Sequence, residues 1–156
     1  MIKIERLEDH HIEKVKTVKI SEEQIKFAGT PTAFLKDGSE TVHLHVVVNN
    51  GDVVGFFKID TGYAENYSFC EPDSLGLRAF VIDSRQQGKG LGTKAMLALN
   101  PYLQSNYSDY TSIYLTVNCK NPAAVRVYEK AGFVDTQALY LGGSAGPQYI
   151  MQLSLI

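Results

Sequence analysis

The chain has 156 residues, of which 44% are hydrophobic, and it carries a formal net charge of -2. This length favours a single domain over 1–156 with its own core, and the apolar content argues against disorder. The near-neutral charge gives no support to nucleic acid as a partner, because a basic face would then be expected. No run approaches the roughly 18 apolar residues of a membrane span, so no membrane partner is predicted.

The cysteines and the N-terminus predict a cytoplasmic protein without a metal site. Cys70 and Cys119 lie far apart and form neither a CxxC pair nor a cysteine–histidine cluster with metal-ligand spacing. We interpret them as reduced thiols of a cytosolic protein. The first eleven residues, MIKIERLEDHH, lack the apolar core of a signal peptide.

The first elements in chain order are a strand and a helical stretch. Residues 2–7 alternate between apolar and polar side chains, which is typical of a strand. Residues 8–29 show helical spacing in two pieces, and Ser21 with Gln24 fits a capping box at the start of the second piece. The Thr-Pro pair at 30–31 is expected to end this stretch.

A β-hairpin follows, and after it comes a buried strand. The runs 41–48 and 53–59 are rich in β-branched and aromatic residues, and the Asn-Asn-Gly-Asp between them predicts a tight turn. His43 and His45 share one face of the first run and are interpreted as structural or surface residues. Residues 75–83 are mostly apolar and predict a central strand covered on both faces.

A helix and a further strand complete a βαβ unit. Helical spacing links Leu91, Ala95, Leu99 and Tyr102. Pro101 is expected to end or kink this helix. Residues 112–117 predict a strand, which should run parallel to strand 75–83 because a helix connects them.

The last third predicts a well-delimited helix and two strands. Residues 121–132 read as a helix that Asn121 caps, with Gly132 at its left-handed C-terminal position. Strands are expected at 134–141 and 149–155, and the final strand is a candidate edge for a homodimer. The order of elements predicts an α/β (α+β) fold, in which helices pack on a mixed sheet.

The segment SRQQGKGLGTKAM, residues 84–96, carries the strongest functional signal. Its three glycines lie between a predicted strand and a predicted helix, where free amide groups and the helix dipole attract anions. Arg85, Lys89 and Lys94 add positive charge, so the segment suits a phosphate or pyrophosphate. Gly90 stands where a P-loop needs Ser or Thr, and the glycine spacing does not fit the dinucleotide fingerprint, which argues against a nucleotide-binding protein.

Two motifs resemble the GNAT superfamily of acyl-CoA N-acyltransferases. The first is the family signature of Gln or Arg, two residues, Gly, one residue, then Gly or Ala, which here reads QGKGLG over 87–92. (An alternative frame begins at Arg85.) The second block, at the expected separation and spacing, comprises Asn121, Ala124, Tyr128, Gly132 and Phe133. The order of strands and helices agrees with the family along nearly the whole chain.

The resemblance implies a fold, a cofactor and a set of site residues. The implied sheet is mostly antiparallel, with helices on both faces and a central parallel pair that a bulge within 78–82 splays apart to admit acetyl-CoA. The implied cofactor-binding residues are Phe80, Val81 and Ile82 for the pantetheine arm, Gln87, Gly88, Lys89, Gly90, Leu91, Gly92 and Thr93 for the pyrophosphate, and Asn121 and Tyr128. Tyr128 is the implied catalytic acid that protonates the thiolate as a primary amine attacks the acetyl carbonyl directly.

The general base and the acceptor stay open at this point. Asp60, Glu65, Glu71, Asp73 and water are the candidates for the base. The acceptor pocket is expected from segments 15–35, 60–76 and 141–148. The tyrosines and acids of 61–73 suit a small cation and favour a polyamine-like amine. A protein N-terminus or lysine, an aminoglycoside, an amino acid, or a non-catalytic acyl-CoA-binding module are the alternatives.

Overall fold

One mixed sheet organises residues 1–155, the part of the chain that the computed structural model describes. Its strands are β1 (Ile2–Arg6), β2 (Val42–Asn49), β3 (Asp52–Asp60), β4 (Ser74–Ile82), β5 (Ser112–Asn118), β6 (Val134–Tyr140) and β7 (Gln148–Ser154). The helices are α1 (Ile12–Lys16), α2 (Glu22–Ala28), α3 (Pro31–Lys36), α4 (Tyr63–Asn66), α5 (Leu91–Asn106) and α6 (Pro122–Lys130), with 3-10 turns at Asp9–His11 and Ser84–Gln86. Ile156, the last residue of the predicted domain, lies outside the described residues.

The sheet order is β1-β2-β3-β4-β5-β7-β6, and its pairs are antiparallel except for β4 with β5. The predicted α/β class, the parallel pair and the strand at 134–141 are therefore confirmed. The expectation that strand 149–155 forms an edge is wrong, because β7 pairs with β5 on one side and with β6 on the other. The edge strand at that end of the sheet is β6.

Apolar side chains on both faces of the sheet hold the helices in place. On one face, Leu75 and Leu77 of β4 pack with Leu91, Leu99 and other residues of α5 and α6. On the opposite face, strand residues such as Phe56 pack with α1 and α3, and the Phe34 and Phe56 rings stack at 4.1 Å. Among the helices of residues 1–155, none combines the length and the apolar character that a membrane span requires.

The turn between β2 and β3 has the conformation that its sequence predicts. Asn50 and Gly51 both have positive φ, 52° and 89°, as a two-residue turn with the twist of a hairpin requires. Asn and Gly adopt this region at little cost, so the local sequence fixes the register of the hairpin.

The helical stretch predicted over 8–29 ends before Thr30 and Pro31, as expected, because α2 ends at Ala28 with Gly29 as its C-cap. The same pair also begins the new helix α3, because the Thr30 hydroxyl accepts a hydrogen bond from Ala33 N and proline suits the first helical position.

Helix α5 continues past Pro101 to Asn106, so this proline does not end the helix. The fully buried Leu99 and Leu103 flank this proline, and their packing offsets the single backbone hydrogen bond that it removes.

The parallel strands β4 and β5 pair only at one end. Their register comprises Ser74 with Ser112, Leu75 with Ile113 and Gly76 with Tyr114, and the described pairing stops there. Beyond it β4 carries a bulge, where Ala79 has φ 56° and the register against β3 shifts between Phe56 and Lys58. The predicted bulge within 78–82 and the splayed pair are both present, and they open a wedge in the centre of the sheet.

Candidate active site

The wedge between β4 and β5 opens into a cavity of about 670 Å³. Its walls come from α2, α4, the second half of β4, the start of α5, β5, α6 and the loop before β7. The three segments expected to form an acceptor pocket, 15–35, 60–76 and 141–148, each contribute residues to this wall. One cavity therefore joins the glycine segment, the splayed strands and these three segments.

The glycine segment forms a bare backbone cradle at the start of α5. Gly88 and Gly90 have φ of 84° and 74°, a region that favours glycine, and Gly90 is the N-cap of the helix. A Cβ at either position would meet no atom within 4 Å, so both glycines face open space. The free amides of a 16-residue helix point toward that space, which is the arrangement that binds phosphate groups.

The structure brings nearly all of the predicted cofactor residues to this cavity. The predicted residues that line it are Phe80, Val81, Ile82, Gln87, Gly88, Gly90, Leu91, Gly92, Thr93, Asn121 and Tyr128. Lys89 does not line it, and its Nζ donates to Gln86 Oε1 at 3.0 Å.

The three cations expected beside the phosphates do not line the described cavity wall. The Arg85 guanidinium donates to Asp83 Oδ2 at 2.7 Å and to the Thr17 carbonyl at 2.9 Å, and it holds the pKa of the Asp83 carboxyl below its ordinary value. The side chains of Arg85, Lys89 and Lys94 are absent from the described cavity wall. The groups placed to bind an anion at the cradle are therefore the free backbone amides at the start of α5, not these three side chains.

Tyr128 stands in the cavity wall beside the splayed strand. Its ring lies 6.3 Å from the Phe80 ring and 5.5 Å from the Phe133 ring, measured between centroids. Burial raises the pKa of the Tyr128 hydroxyl well above its ordinary value near 10, so the group is protonated at neutral pH. A protonated hydroxyl in this position can donate a proton to a leaving group.

Two asparagines of the cavity wall form hydrogen bonds that order the segments next to them. Asn121 caps α6, with its side chain accepting from Ala124 N at 3.4 Å. Asn118, at the buried end of β5, donates from Nδ2 to the Ala145 carbonyl at 2.9 Å and accepts at Oδ1 from Lys120 N at 2.8 Å. Asn118 thereby fixes the loop before β7 against the turn that leads into α6; the sequence analysis did not identify it.

None of the four candidate carboxylate bases lines the described cavity wall. Both oxygens of the buried Asp60 are engaged, Oδ1 by Gly62 N at 2.9 Å and Oδ2 by Arg78 Nη1 at 3.1 Å. Glu65 and Asp73 border a separate recess of about 430 Å³, and Glu71 is exposed. Water is the remaining candidate for the base.

The segment 61–73 contributes its tyrosines, but not its acids, to the cavity. Tyr63 and Tyr67 line the wall with their ring centroids 4.4 Å apart. Arg78 lines it too, although no role was predicted for this residue from the sequence. The signal available was a single charge within the otherwise apolar run LGLRAFVI.

A separate cluster near the N-terminus has ligand-type atoms close together. One such atom each of Glu5, His10 and His11 lies within 4.8 Å of the others. His11 Nδ1 accepts from Glu8 N at 2.9 Å, so its proton is on Nε2, which faces Glu5 Oε1 at 3.2 Å. Glu5 and His11 are thus hydrogen-bonded to each other, and the His10 ring lies 4.0 Å from the His11 ring, measured between centroids.

Splayed parallel strands, a backbone cradle for phosphates and a buried tyrosine beside them define an acyl-CoA-type acyltransferase fold. A sequence profile of the acetyltransferase (GNAT) family matches residues 5–133. The spermine/spermidine N(1)-acetyltransferase of Bacillus subtilis is 31% identical over 138 residues, which cover 85% of this chain and 87% of that protein. An aminoglycoside N(6')-acetyltransferase of Klebsiella pneumoniae is 32% identical over 98 residues, or 60% of this chain and 48% of that protein.

Solved structures show the same fold. The aminoglycoside acetyltransferase AAC(6')-Ib in complex with coenzyme A has a TM-score of 0.76 at 21% identity, covering 99% of this chain and 95% of that one. Spermidine N-acetyltransferase from Vibrio cholerae in complex with CoA and spermine has a TM-score of 0.72 at 18% identity, covering the same shares of both chains. The chain belongs to the GNAT acetyltransferase family and is an N-acetyltransferase, as its motifs predicted.

Proposed function

We propose that this chain transfers the acetyl group of acetyl-CoA to a primary amine of a small molecule. The observation that carries the proposal is a single cavity in which the glycine cradle, the splayed edge of β4 and the buried Tyr128 meet. The acyl donor and the proton donor would thus lie next to one another in the molecule.

The residues present fit coenzyme A. The space in front of Gly88 and Gly90 accommodates phosphate groups, and the amides of 87–93 would hold them. The backbone of 80–82, beyond the last described β4–β5 pair, is available to hydrogen-bond an extended arm such as pantetheine. Asn121 adds an amide side chain at the start of α6. Lys89 would contribute its backbone amide only.

Acetyl-CoA would supply the acetyl group as an activated thioester. Transfer forms a C–N bond and breaks the C–S bond, so the amine loses a proton and the thiolate gains one. Tyr128 would donate the proton to sulfur, and water would receive the proton of the amine, since no carboxylate lines the described wall.

The acceptor is a small amine. The sequence predicts a polyamine-like compound. The relative from Bacillus subtilis supports it by its name, and the Tyr63 and Tyr67 rings offer cation–π contacts. An aminoglycoside, an amino acid or a protein amine would use the same acetyl-CoA site and the same proton donor.

The predictions about domain number, cellular location and partners rest on the sequence. The length supports a single domain, and the charge of -2 supports the absence of a nucleic-acid partner. The two separated cysteines support a cytoplasmic location. For a homodimer, the exposed Val134 and Leu139 of the edge strand β6 replace strand 149–155 as the candidate contact.

The proposed function is tested by following thiol release from acetyl-CoA. The panel comprises spermidine, spermine, aminoglycosides, amino acids and short peptides. Release that depends on one class of amine supports the proposal and identifies the class. Thermal protection by acetyl-CoA with no release from any amine would point to a binding module instead.

A further inference from the structure

Arg78 is a charged side chain on the part of β4 that faces the cavity. It lies next to the bulge residue Ala79 and is 44% exposed, although most of its strand is buried. It also follows Gly76 by two residues, so both point to the face on which the Tyr63 ring packs. Arg78 is thus on the tyrosine side of the wedge.

A buried carboxylate holds the Arg78 guanidinium by one nitrogen. Nη1 donates to Asp60 Oδ2 at 3.1 Å, and the Asp60 side chain is 6% exposed. The other Asp60 oxygen accepts from Gly62 N, so this carboxylate is fixed on both sides. Within residues 1–155, Arg78 makes no other side-chain hydrogen bond, so the remaining N–H donors of its guanidinium are free to bind a ligand in the cavity that this residue lines.

The charged residues of the described cavity wall are cations, since Asp60, the carboxylate bound to Arg78, does not line it. The described wall contains the cations Arg78 and Lys26 and no Asp or Glu. Lys58, the β3 residue paired with Arg78, is bound to Asp37 instead. Tyr63 and Tyr67 line the same end of the cavity. A ligand with several positive charges has no counter-charge on this wall, whereas a carboxylate has one.

We propose that the acceptor amine also carries a carboxylate or a comparable anionic group, and that Arg78 binds this group. The inference rests on the proposed function, and for its acceptor it favours the amino-acid type of amine over the polyamine-like compound that the sequence predicts. A guanidinium presents parallel N–H donors that match the two oxygens of a carboxylate. Asp60 acts as a positioning residue, because it sets the orientation of the fork without touching the acceptor.

The test compares acceptors that differ only in the carboxylate. Suitable pairs are lysine with cadaverine, ornithine with putrescine, and phenylalanine with phenethylamine. With the native chain and acetyl-CoA, we expect kcat/KM to be about tenfold to a hundredfold higher for the carboxylate-bearing member of an accepted pair. Arg78→Gln should bring this ratio close to one, mainly through the KM of the amine, and Arg78→Lys should restore part of it.

Controls separate binding from folding and from cofactor contacts. Lys3→Gln removes an exposed cation from the far edge strand β1 and should leave the ratio unchanged. Asp60→Asn keeps a hydrogen-bond acceptor for Arg78 but removes the negative charge that orients it. This variant should therefore lower the ratio of kcat/KM values within a pair less than Arg78→Gln does. Thermal unfolding shows whether each variant is folded at the assay temperature.

Several outcomes would overturn the inference while the proposed function stands. These are equal kcat/KM within every pair, a preference for the diamines, or a ratio that Arg78→Gln does not change. A rise in the KM of acetyl-CoA alone would assign Arg78 to the cofactor and overturn it as well. If no amine is acetylated, the proposed function fails, and calorimetric titration of the same pairs into the CoA-loaded chain still decides whether Arg78 selects the carboxylate.

Discussion

The ring of Tyr63 lies directly over Gly76, so that a Cβ at residue 76 would come within 2.1 Å of ring atoms Cγ and Cδ1. Gly76 is also the last described β4 residue that pairs with β5. The missing side chain therefore lets an aromatic ring occupy the point where the parallel strands separate. Tyr63 is 3% exposed and lines the cavity there.

Gly76→Ala should displace Tyr63 and damage the acceptor end of the cavity. A clash of this size with a buried ring costs about 1–3 kcal/mol of folding free energy, and we expect the KM of the amine to rise. Urea unfolding and steady-state kinetics measure the two effects. The double variant Tyr63→Ala/Gly76→Ala removes the ring that causes the clash, so its loss of stability should be smaller than the sum of the single losses. Additive losses would contradict this account.

Tyr128→Phe should lower turnover by about a hundredfold with little change in the KM of acetyl-CoA. The variant removes only the hydroxyl proposed as the proton donor, and general acids contribute rate factors of roughly this size. Tyr110→Phe, which removes a hydroxyl outside the main cavity, is the matched control. Because burial raises the pKa of Tyr128, the native rate should not fall between pH 7 and about pH 9 through loss of this proton. An unchanged turnover in Tyr128→Phe would remove Tyr128 from the mechanism.

Gly88→Ala and Gly90→Ala should weaken the binding of acetyl-CoA more than they weaken the fold. Both residues have positive φ, which costs an alanine about 1 kcal/mol, and both would place a methyl group in the open cradle. Gly51→Ala is a close control, because Gly51 has φ 89° and open space but lies in the β2–β3 turn. All three should lose similar stability in urea. If the KM of acetyl-CoA rises equally in Gly51→Ala, the cradle is not the binding site.

The local features of this fold could be predicted from the sequence because short-range chemistry determines them. The Asn-Gly turn, the Asn121 cap and the positive φ of Gly132 each depend on a few neighbouring residues. The glycine cradle followed from the three glycines between a predicted strand and a predicted helix, whereas the splayed parallel pair was implied by the resemblance to the GNAT family. These features include most of the residues that line the proposed cofactor site.

The acceptor end of the site could not be predicted because it depends on long-range packing. Whether Glu65 or Tyr63 faces the cavity is decided by the short helix α4 and by the space above Gly76. The use of Asp60 as the anchor of Arg78 depends on the pairing of β3 with β4 and on a bulge. The place of β7 inside the sheet likewise requires pairing between residues far apart in the chain.

His45 should make the fold less stable as the pH falls below about 6.5. Its ring is fully buried, donates from Nδ1 to the His43 carbonyl at 3.0 Å and accepts at Nε2 from the Tyr102 hydroxyl at 2.7 Å. Burial lowers the pKa of His45 from 6.5 to about 4, and the nearby positive charge of Arg6 acts in the same direction. The unfolded chain therefore takes up a proton between pH 6.5 and pH 4 that the native chain does not bind.

This difference should reduce the free energy of unfolding progressively over that window, by up to about 3 kcal/mol once the pH is below 4. Urea unfolding at several pH values measures the slope. His45→Gln keeps a side-chain donor and acceptor but cannot titrate, so its stability should depend less steeply on pH between 6.5 and 4, while every other titrating group contributes equally to both proteins. Parallel slopes for the native chain and His45→Gln would show that the buried imidazole does not cause the acid sensitivity.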